Sequence, residues 1–435
     1  MGPALFLRQL HVCRRYNTGM LNESGKEPAV PDAVADEATI SGRSLPRNVK
    51  ILGGVSLLND VASEAVFPLL PSFLSTISSN ARLYLGLIEG AADSVASILK
   101  LWSGGWSDRA GQRKGFVLFG YSVTTILRPL LSVIVAPWQL LVIRVGDRIG
   151  KGVRTSPRDA LIADSIDASM RGRAFGFHRA MDHLGAAIGP LLAAAFVWMW
   201  PEPKHLRILF FLTILPGLLV VALLFFGLRE PTAHKSSRQP LHLTLRPFDR
   251  NFRLYLLSLV IFTLGNSSDI FLLERARELG VPKLQLPLLW CVFHIIKSTA
   301  NLILGRAVDR FGPRLFLFVG WLVYAAIYLA FAVAKTPQQV WLFFLCYALF
   351  YGLTEPAEKT LVVQLAGTER KGLAFGWYNF ALGLAALPSS LIFGALYEYW
   401  GAPWAFGWGA ALALVAVLLF AGVRSEHDSS FRAKR

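Results

Sequence analysis

Apolar residues occur along this chain in runs of about 20, separated by short polar segments. A helix of that length crosses the hydrocarbon core of a bilayer, which is about 30 Å thick. Twelve spans are predicted, at residues 50–77, 83–103, 115–136, 138–163, 172–199, 206–228, 253–273, 284–305, 315–334, 338–365, 372–398 and 402–423. The pattern therefore predicts an all-α polytopic membrane protein.

Composition and charge agree with a membrane protein and exclude one other class. The chain is 54% hydrophobic and 17% charged, whereas soluble proteins are about 25% charged. The net charge of +16 is typical either of a nucleic-acid-binding protein or of a membrane protein with basic cytoplasmic loops. Most basic residues outside the spans fall in the two tails and the even-numbered loops, which indicates that both termini are cytoplasmic. Nucleic-acid recognition is therefore not expected.

The spans divide the chain into two bundles and three polar segments. We expect a disordered cytoplasmic tail at 1–48, six-helix bundles at 49–228 and 253–423, a cytoplasmic linker at 229–252 and a C-terminal tail at 424–435. The start of the tail fits either an organelle transit sequence or a start codon assigned too early, with Met20 the true one. Cys13, Cys291 and Cys346 show neither a disulfide framework nor metal-ligand spacing, so neither metal nor cofactor is expected.

Two motifs repeat at nearly the same distance. Residues 104–113 and 305–314 both fit G-x-x-x-D-R-x-G-x-R, 201 residues apart, and G-x-A-F-G recurs at 172–176 and 372–376, 200 apart. Unrelated matches at one offset indicate a duplicated six-helix unit. Since six spans return the chain to the same side, the two copies share one topology and are related by an axis along the membrane normal.

The loop motif resembles the signature of the major facilitator superfamily of transporters, and the resemblance extends from about residue 50 to 423. It implies a cytoplasmic gate in which each motif aspartate faces a helix N-terminus of the other half, Asp108 near Gly372 and Asp309 near Gly172. A carboxylate is favoured there by the helix dipole. The alternative is that these loops only supply positive-inside charge. The gate candidates are Gly104, Asp108, Arg109, Gly111, Arg113, Gly305, Asp309, Arg310, Gly312 and Arg314.

Ionisable residues also occur within the spans, where each costs at least about 2.5 kcal/mol on insertion scales. Such residues face a cavity, pair with each other or take part in transport. The alternative to a functional cluster is a structural ion-pair network in which Asp60, Glu89, Asp93 and Asp182 compensate the arginines of span 4. The proton-coupling candidates are Asp60, Glu64, Glu89, Asp93 and Asp182; the substrate-binding candidates are Arg128, Arg144, Arg148, Lys151, His178 and Arg179.

Two further segments resemble transporter motifs. Residues 148–152 are similar to the R-x-x-Q-G motif of proton-coupled members, with Lys151 in place of Gln. Gly176, Gly185, Gly189 and Pro190 are similar to an antiporter motif whose last two glycines are alanines here, and small-residue packing is the alternative interpretation. The remaining charges of span 4 are expected to approach the cytoplasmic surface beyond Pro157, as gate or loop charges; they are Arg154, Arg158, Asp159 and Asp164.

The combined pattern predicts a secondary transporter working by alternating access, with proton-coupled efflux of a small organic compound as the first hypothesis. Import of an anionic metabolite by proton symport is the alternative, and a membrane-embedded enzyme or a transport-dead sensor are remote ones. No G-x-x-x-x-G-K-[ST] loop occurs, so ATP is not the expected energy source. No catalytic residues are predicted. We expect a monomer in the inner cell membrane whose partners are substrate, protons and lipid.

Overall fold

The computed structural model describes residues 44–66, 69–70, 73, 81–231, 243–266, 269–282, 285–367 and 370–423, with residues 81–94, 203, 270, 287 and 387 described by their backbone only. These residues are almost entirely helical and include no strand. The predicted all-α fold class is therefore confirmed. Except for residues 44–48, both predicted tails lie outside the described residues.

The described residues of the first half form six helices. They are α1 (Arg47–Glu64), α2 (Ala81–Ala110), α3 (Lys114–Leu127, extended by the 3-10 turn Arg128–Val133), α4 (Pro137–Asp164), α5 (Arg171–Met199) and α6 (Leu206–Leu212 and Ile214–Ala222, ending in the π-helical turn Leu223–Gly227). α1 ends before the predicted residue 77, and α2 extends beyond the predicted residue 103.

The second half follows the same order. Its helices are α7 (Arg250–Gly265, followed by the short segment Ile270–Glu278), α8 (Gln285–Phe311), α9 (Pro313–Val333), α10 (Pro337–Ala366), α11 (Lys371–Trp400) and α12 (Ala402–Phe420). α7 begins at Arg250, three residues before the predicted start of the seventh span at residue 253. The helix therefore includes the last residues of the predicted linker.

Eight of these helices are long and apolar enough to cross a membrane on length and composition alone, namely α3, α5, α6 and α8–α12. α1, α2 and α4 carry several charged residues, and α7 is short within the described part of the chain. Charged residues within the helices therefore hide three of the spans from a hydropathy criterion.

The helix starts show that the two halves share local structure as well as order. α4 begins with Pro137 and α10 with Pro337, where a missing backbone N–H costs nothing. The side-chain oxygen of Gln139 accepts hydrogen bonds from the two backbone N–H groups just before α4, and Gln339 does the same before α10. These equivalents are 200 residues apart, which is the offset of the sequence motifs.

Helix packing repeats in the two halves. α1 packs on α5 and α2 on α4, as α7 packs on α11 and α8 on α10. The halves meet where α2 packs on α11 and α5 on α8, again an equivalent pair. We call the end of the molecule that carries the α2–α3 and α8–α9 loops the latch end.

Candidate functional site

A cavity of about 450 Å³ lies between the two halves. Its described lining contains nine basic and five acidic side chains. The bases are Lys100, Arg128, Arg144, Arg148, Lys151, Arg154, Arg158, Arg179 and Lys359, and the acids are Asp60, Glu64, Asp147, Asp159 and Asp182. Its volume is within the range of about 300–1,000 Å³ typical of small-molecule sites. The cavity is therefore polar, small and rich in positive charge.

Two acids of α1, Asp60 and Glu64, differ from the others in their partners. They are one helical turn apart, so their side chains lie on one face of α1. Asp60 accepts a hydrogen bond of 2.8 Å from the side-chain amide of Asn59. Within the described residues, neither carboxylate forms an ion pair within 4 Å. They line the cavity without a directly bound cation.

The glycines of α5 explain how these acids are positioned. A Cβ added to Gly185 would lie 2.6 Å from the carbonyl oxygen of Leu57 and 2.9 Å from the Cβ of Asp60. One added to Gly189 would lie 2.8 Å from the Cβ of Glu64. The absence of side chains at these positions lets α5 lie directly against the face of α1 that carries both carboxylates. The antiporter-like motif thus has a clear packing role.

Two arginines of the first half have partners within that half. Arg128 binds Asp147 at 3.2 Å and donates to the backbone and side-chain oxygens of Asn59 at 3.0 and 3.1 Å. The guanidinium of Arg154 lies 4.1 Å from the ring centroid of Tyr121 and donates to the hydroxyl of Thr124 at 2.7 Å. These contacts match the structural network that the sequence analysis left open as an alternative, but with Asp147 as the acid.

One ion pair in the cavity wall joins equivalent residues of the two halves. The ammonium of Lys359, on α10, lies 2.8 Å from Asp159 Oδ2, on α4, and the two residues are 200 positions apart. Equivalent residues touch one another only close to the symmetry axis. The rings of Phe175 and Phe375, also 200 apart, have centroids 5.8 Å apart. Both pairs therefore mark the axis that relates the halves.

A second ionic contact crosses the interface beside the cavity. Arg179, on α5, binds Asp182 in its own helix at 3.1 Å and Glu355 of α10 at 3.0 Å. Glu355 also lies 2.7 Å from the ring Nε2 of His183 and accepts a hydrogen bond of 2.9 Å from Asn301. Asp182 further accepts a short hydrogen bond from the hydroxyl of Ser56.

The latch end is closed by two equivalent contacts. Asp108 accepts hydrogen bonds from the backbone N–H groups of Gly372 and Leu373 at 2.9 and 2.7 Å. Asp309 accepts them from Gly172 and Arg173 at 2.6 and 2.8 Å. Each aspartate thus lies at the N-terminus of a helix of the other half, α11 or α5, where the helix dipole favours a negative charge. Any opening of this end must break both contacts.

The glycines of the motifs allow this approach. A Cβ built on Gly104 would overlap the carbonyl oxygen of Gly372, and one built on Gly172 would clash with that of Gly305. The helices therefore cross backbone to backbone at both sites, with α2 against α11 and α5 against α8. Any side chain at these positions would separate the halves.

Arg113, in the loop between α2 and α3, adds charge to the first contact. It binds Asp108 at 2.8 Å and Asp164 at 2.5 Å. Burial lowers the pKa of Arg113, but the two carboxylates raise it by more, so that its pKa ends above the ordinary value. Its charge is therefore present at any physiological pH. The carboxylate of Glu230 accepts hydrogen bonds from the backbone N–H groups of Arg113 and Lys114 at 2.7 and 2.8 Å.

The structure groups most of the predicted site residues. Eight candidates line the cavity, namely Asp60, Glu64, Arg128, Arg144, Arg148, Lys151, Arg179 and Asp182. His178 is fully buried, 3.7 Å from Asp182, and is not part of the cavity lining. Its position gives no support to a substrate-binding role. The side chains of Glu89 and Asp93 lie outside the described ones.

Sequence reasoning missed several lining residues. Arg154, Arg158 and Asp159 were expected near the surface, yet they are buried or half-buried in the cavity wall, because Pro157 does not interrupt α4. Of the charges expected there, Asp164 alone lies at the end of α4. Lys359 was not predicted as a site residue. Asp159 and Lys359 are 200 residues apart, which is the offset of the repeat, and they carry opposite charges. That combination in the sequence could have indicated an ion pair between the halves.

Comparisons of the whole chain with known proteins agree with this architecture. The sequence profile described as "Major Facilitator Superfamily" matches residues 52–296 and 254–435. The chain is 29% identical over 383 residues to the MFS-type transporter MJ1317 of Methanocaldococcus jannaschii, covering 87% of this chain and 95% of that protein. It is 24% identical over 344 residues to the multidrug resistance protein MdtG of Salmonella typhimurium, covering 76% and 84%.

Solved structures share the fold at low sequence identity. The human organic anion transporter MFSD10 superposes with a TM-score of 0.73 at 18% identity, covering 86% of this chain and 99% of that one. The E. coli fucose:proton symporter FucP superposes with a TM-score of 0.72 at 16% identity, covering 88% and 100%. With two six-helix repeats, a polar cavity between them and a family profile that spans nearly all of its helices, this chain belongs to the Major Facilitator Superfamily and is an integral membrane transporter.

Proposed function

We propose that this protein is a secondary active transporter that moves a small anionic solute by alternating access, coupled to protons. The observation that carries the proposal is the cavity between the halves, where nine basic side chains face five acidic ones among the described residues. The bases stay in excess even with Glu89 and Asp93 of α2 added to the acids. An anion entering this site gains attraction that a neutral or cationic solute does not.

Asp60 and Glu64 are the proposed coupling groups. A carboxylate can carry a proton in each cycle when it is not held permanently charged by a directly bound cation. The other acids of the lining have such cations, as in Arg128–Asp147, Lys359–Asp159 and Arg179–Asp182. Asp60 and Glu64 share the cavity with the bases, so their protonation alters the charge available to a bound anion.

The proposed orientation places the latch end in the cytoplasm. The positive-inside distribution supports this orientation, because the tails and the even-numbered loops carry most of the basic residues outside the spans. Both latches are formed in this structure. The closed side is then the cytoplasmic side, and the proposed next step is binding or release of solute at the opposite end.

Export is the proposed direction. It is supported by the relationship to the multidrug resistance protein MdtG and by the antiporter-like glycines of α5. Import by proton symport is the second candidate, because FucP, which shares the fold, is a fucose:proton symporter. Both directions use the same cavity and the same carboxylates.

The test uses the purified full chain in liposomes with an imposed pH gradient. Radiolabelled inorganic phosphate, succinate, citrate and benzoate are supplied, with glucose and tetraphenylphosphonium as neutral and cationic controls. We expect one or more anions to move when the gradient is imposed, and to stop moving when a protonophore collapses it. Movement against the proton flux indicates antiport, and movement with it indicates symport. Gradient-driven movement of the controls but of no anion contradicts the proposed substrate class.

A further inference from the structure

We propose that Lys359 is the anion ligand contributed by the second half, and that the transported anion replaces Asp159 as its partner. This inference rests on the proposed function and names a specificity-determining residue within it. It follows from the position, the partners and the uniqueness of Lys359 in the lining of the cavity.

Lys359 is the one basic residue that the second half contributes to the described lining. The other lining residues of that half are Tyr378, Asn379 and Leu382, whereas the remaining eight bases come from the first half. A solute shifts a conformational equilibrium only by its differential interaction with the two states. An anion held by the first half alone would interact equally however the second half moved. Lys359 provides the charge through which an anion links both halves.

The ammonium of Lys359 is well placed for that role because it lies close to the symmetry axis. Lys359 is 4% exposed, its ammonium is 2.8 Å from Asp159 Oδ2, and it lies 5.8 Å from the ring centroid of Phe175. A group near the axis is within reach of both halves. It also lines the same cavity as the bases of α4, so a bound anion and Asp159 compete for the same ammonium.

Asp159 has a second cationic partner besides Lys359. It is also bound by Arg158 at 3.2 Å, within its own helix. When Lys359 leaves, the buried carboxylate therefore retains a cation, and the large penalty of an uncompensated buried charge is avoided. Lys359 in turn retains a negative partner in the anion. The exchange replaces one ionic contact by another without leaving either charge alone.

The alternative is that the pair only holds the halves together. A comparison is available in Lys371, which forms a second lysine–aspartate pair between the halves, with Asp164 at 2.9 Å, but does not line the cavity. If Lys359 binds the anion, loss of its charge weakens anion binding. Loss of the competing Asp159 charge strengthens it. If the pair is only structural, both changes act in the same direction.

The experiment measures the dissociation constant of the anion from the thermal stabilisation of the purified protein. The probes are phosphate, succinate, citrate and benzoate, each titrated separately. For the anion that stabilises the wild type most, we expect Lys359→Gln to weaken binding by about tenfold and Lys359→Arg to restore most of it. Asp159→Asn is expected to strengthen binding. Lys371→Gln, the matched control, is expected to change the constant by less than about twofold, a change well below one lost charged contact.

The neutral double variant Asp159→Asn/Lys359→Gln is measured in case a single variant does not fold. It removes both charges together and keeps side chains of similar shape. We expect it to bind the anion as weakly as Lys359→Gln. Affinity restored to the wild-type level in the double variant, or weakened equally by Asp159→Asn and Lys359→Gln, would overturn the inference while leaving anion transport intact. If no anion stabilises the wild type, the proposed function itself fails, and the inference falls with it.

Discussion

Asp164 and Lys371 form an ion pair at 2.9 Å between the two halves at the latch end, and Asp164 also binds Arg113 at 2.5 Å. The position equivalent to Asp164 in the second half is Gln364, whose side-chain oxygen is buried and has no hydrogen-bond partner within the described residues. The second latch thus has no carboxylate at this position. The two latches share their hydrogen bonds but differ in ionic support.

This difference predicts that Asp164→Asn loosens the first latch. Arg113 and Lys371 would lose a shared carboxylate, so the latch end should open more often. Reaction of an engineered Ser156→Cys, a fully buried position next to Asn379, with an impermeant maleimide reports the opening, in a background without Cys13, Cys291 and Cys346. Labelling is expected to become severalfold faster.

The matched control for this change is Glu202→Gln, since Glu202 forms an exposed ion pair with Lys204, and such pairs contribute about 0–1 kcal/mol. Labelling in this control should match the wild type. An Asp164→Asn protein that labels at the wild-type rate would show that Asp164 does not support closure.

The glycine crossing at the latch end predicts a steric effect. In Gly104→Ala the new methyl group would overlap the carbonyl oxygen of Gly372, so α2 and α11 must separate. We expect the Ser156→Cys reporter to be labelled faster, transport to be lost and the free energy of unfolding to fall by about 1–3 kcal/mol. Gly115→Ala is the control, because its Cβ would meet nothing within 4 Å. Equal melting temperatures and labelling in the two variants would contradict the crossing.

Neutralising Asp60 separates coupling from solute movement. In Asp60→Asn we expect gradient-driven accumulation to be abolished, while exchange of labelled for unlabelled solute is partly retained. The amide fits the site, but it cannot take up and release a proton in each cycle. Ser63→Ala is the control, as Ser63 lines the same cavity and bonds only weakly, at 3.4 Å, to the backbone of its own helix. Unchanged accumulation in Asp60→Asn would exclude Asp60 from coupling and leave Glu64 as the proposed coupling group.

The Arg128–Asp147 pair predicts strong non-additivity. Both side chains are largely buried, with 11% and 5% exposed, so Arg128→Gln alone leaves a buried carboxylate without its directly bound cation. The expected loss of unfolding free energy is about 3–5 kcal/mol. The double variant Arg128→Gln/Asp147→Asn should regain most of it. A double-mutant cycle in detergent measures the coupling, and purely additive losses would show that the pair is not a unit.

Much of the architecture can be predicted from the sequence, because it depends on residues that are close together or regularly spaced along the chain. The lengths of the apolar runs predict the helices, and the offset between residues 104 and 305 predicts the repeat, since both depend only on order along the chain. Candidate charges such as Asp60 and Arg148 are recognisable because an ionisable group in an apolar run is costly. The positions of Asp108 and Asp309 at opposing helix ends follow from the family resemblance.

The partners of the charges were decided by tertiary structure. The sequence shows Arg128, Asp147, Arg179 and Asp182, but not that Arg128 is matched by Asp147 while Arg179 reaches Glu355 in the other half. Likewise, Pro157 suggested an end to the buried part of α4, yet the helix is continuous through Pro157, and Arg158 and Asp159 beyond it line the cavity. Hydropathy and spacing describe each helix separately. An ion pair between the halves depends on the distance and orientation of two helices that are nearly 200 residues apart in the chain. Only the folded arrangement sets that distance.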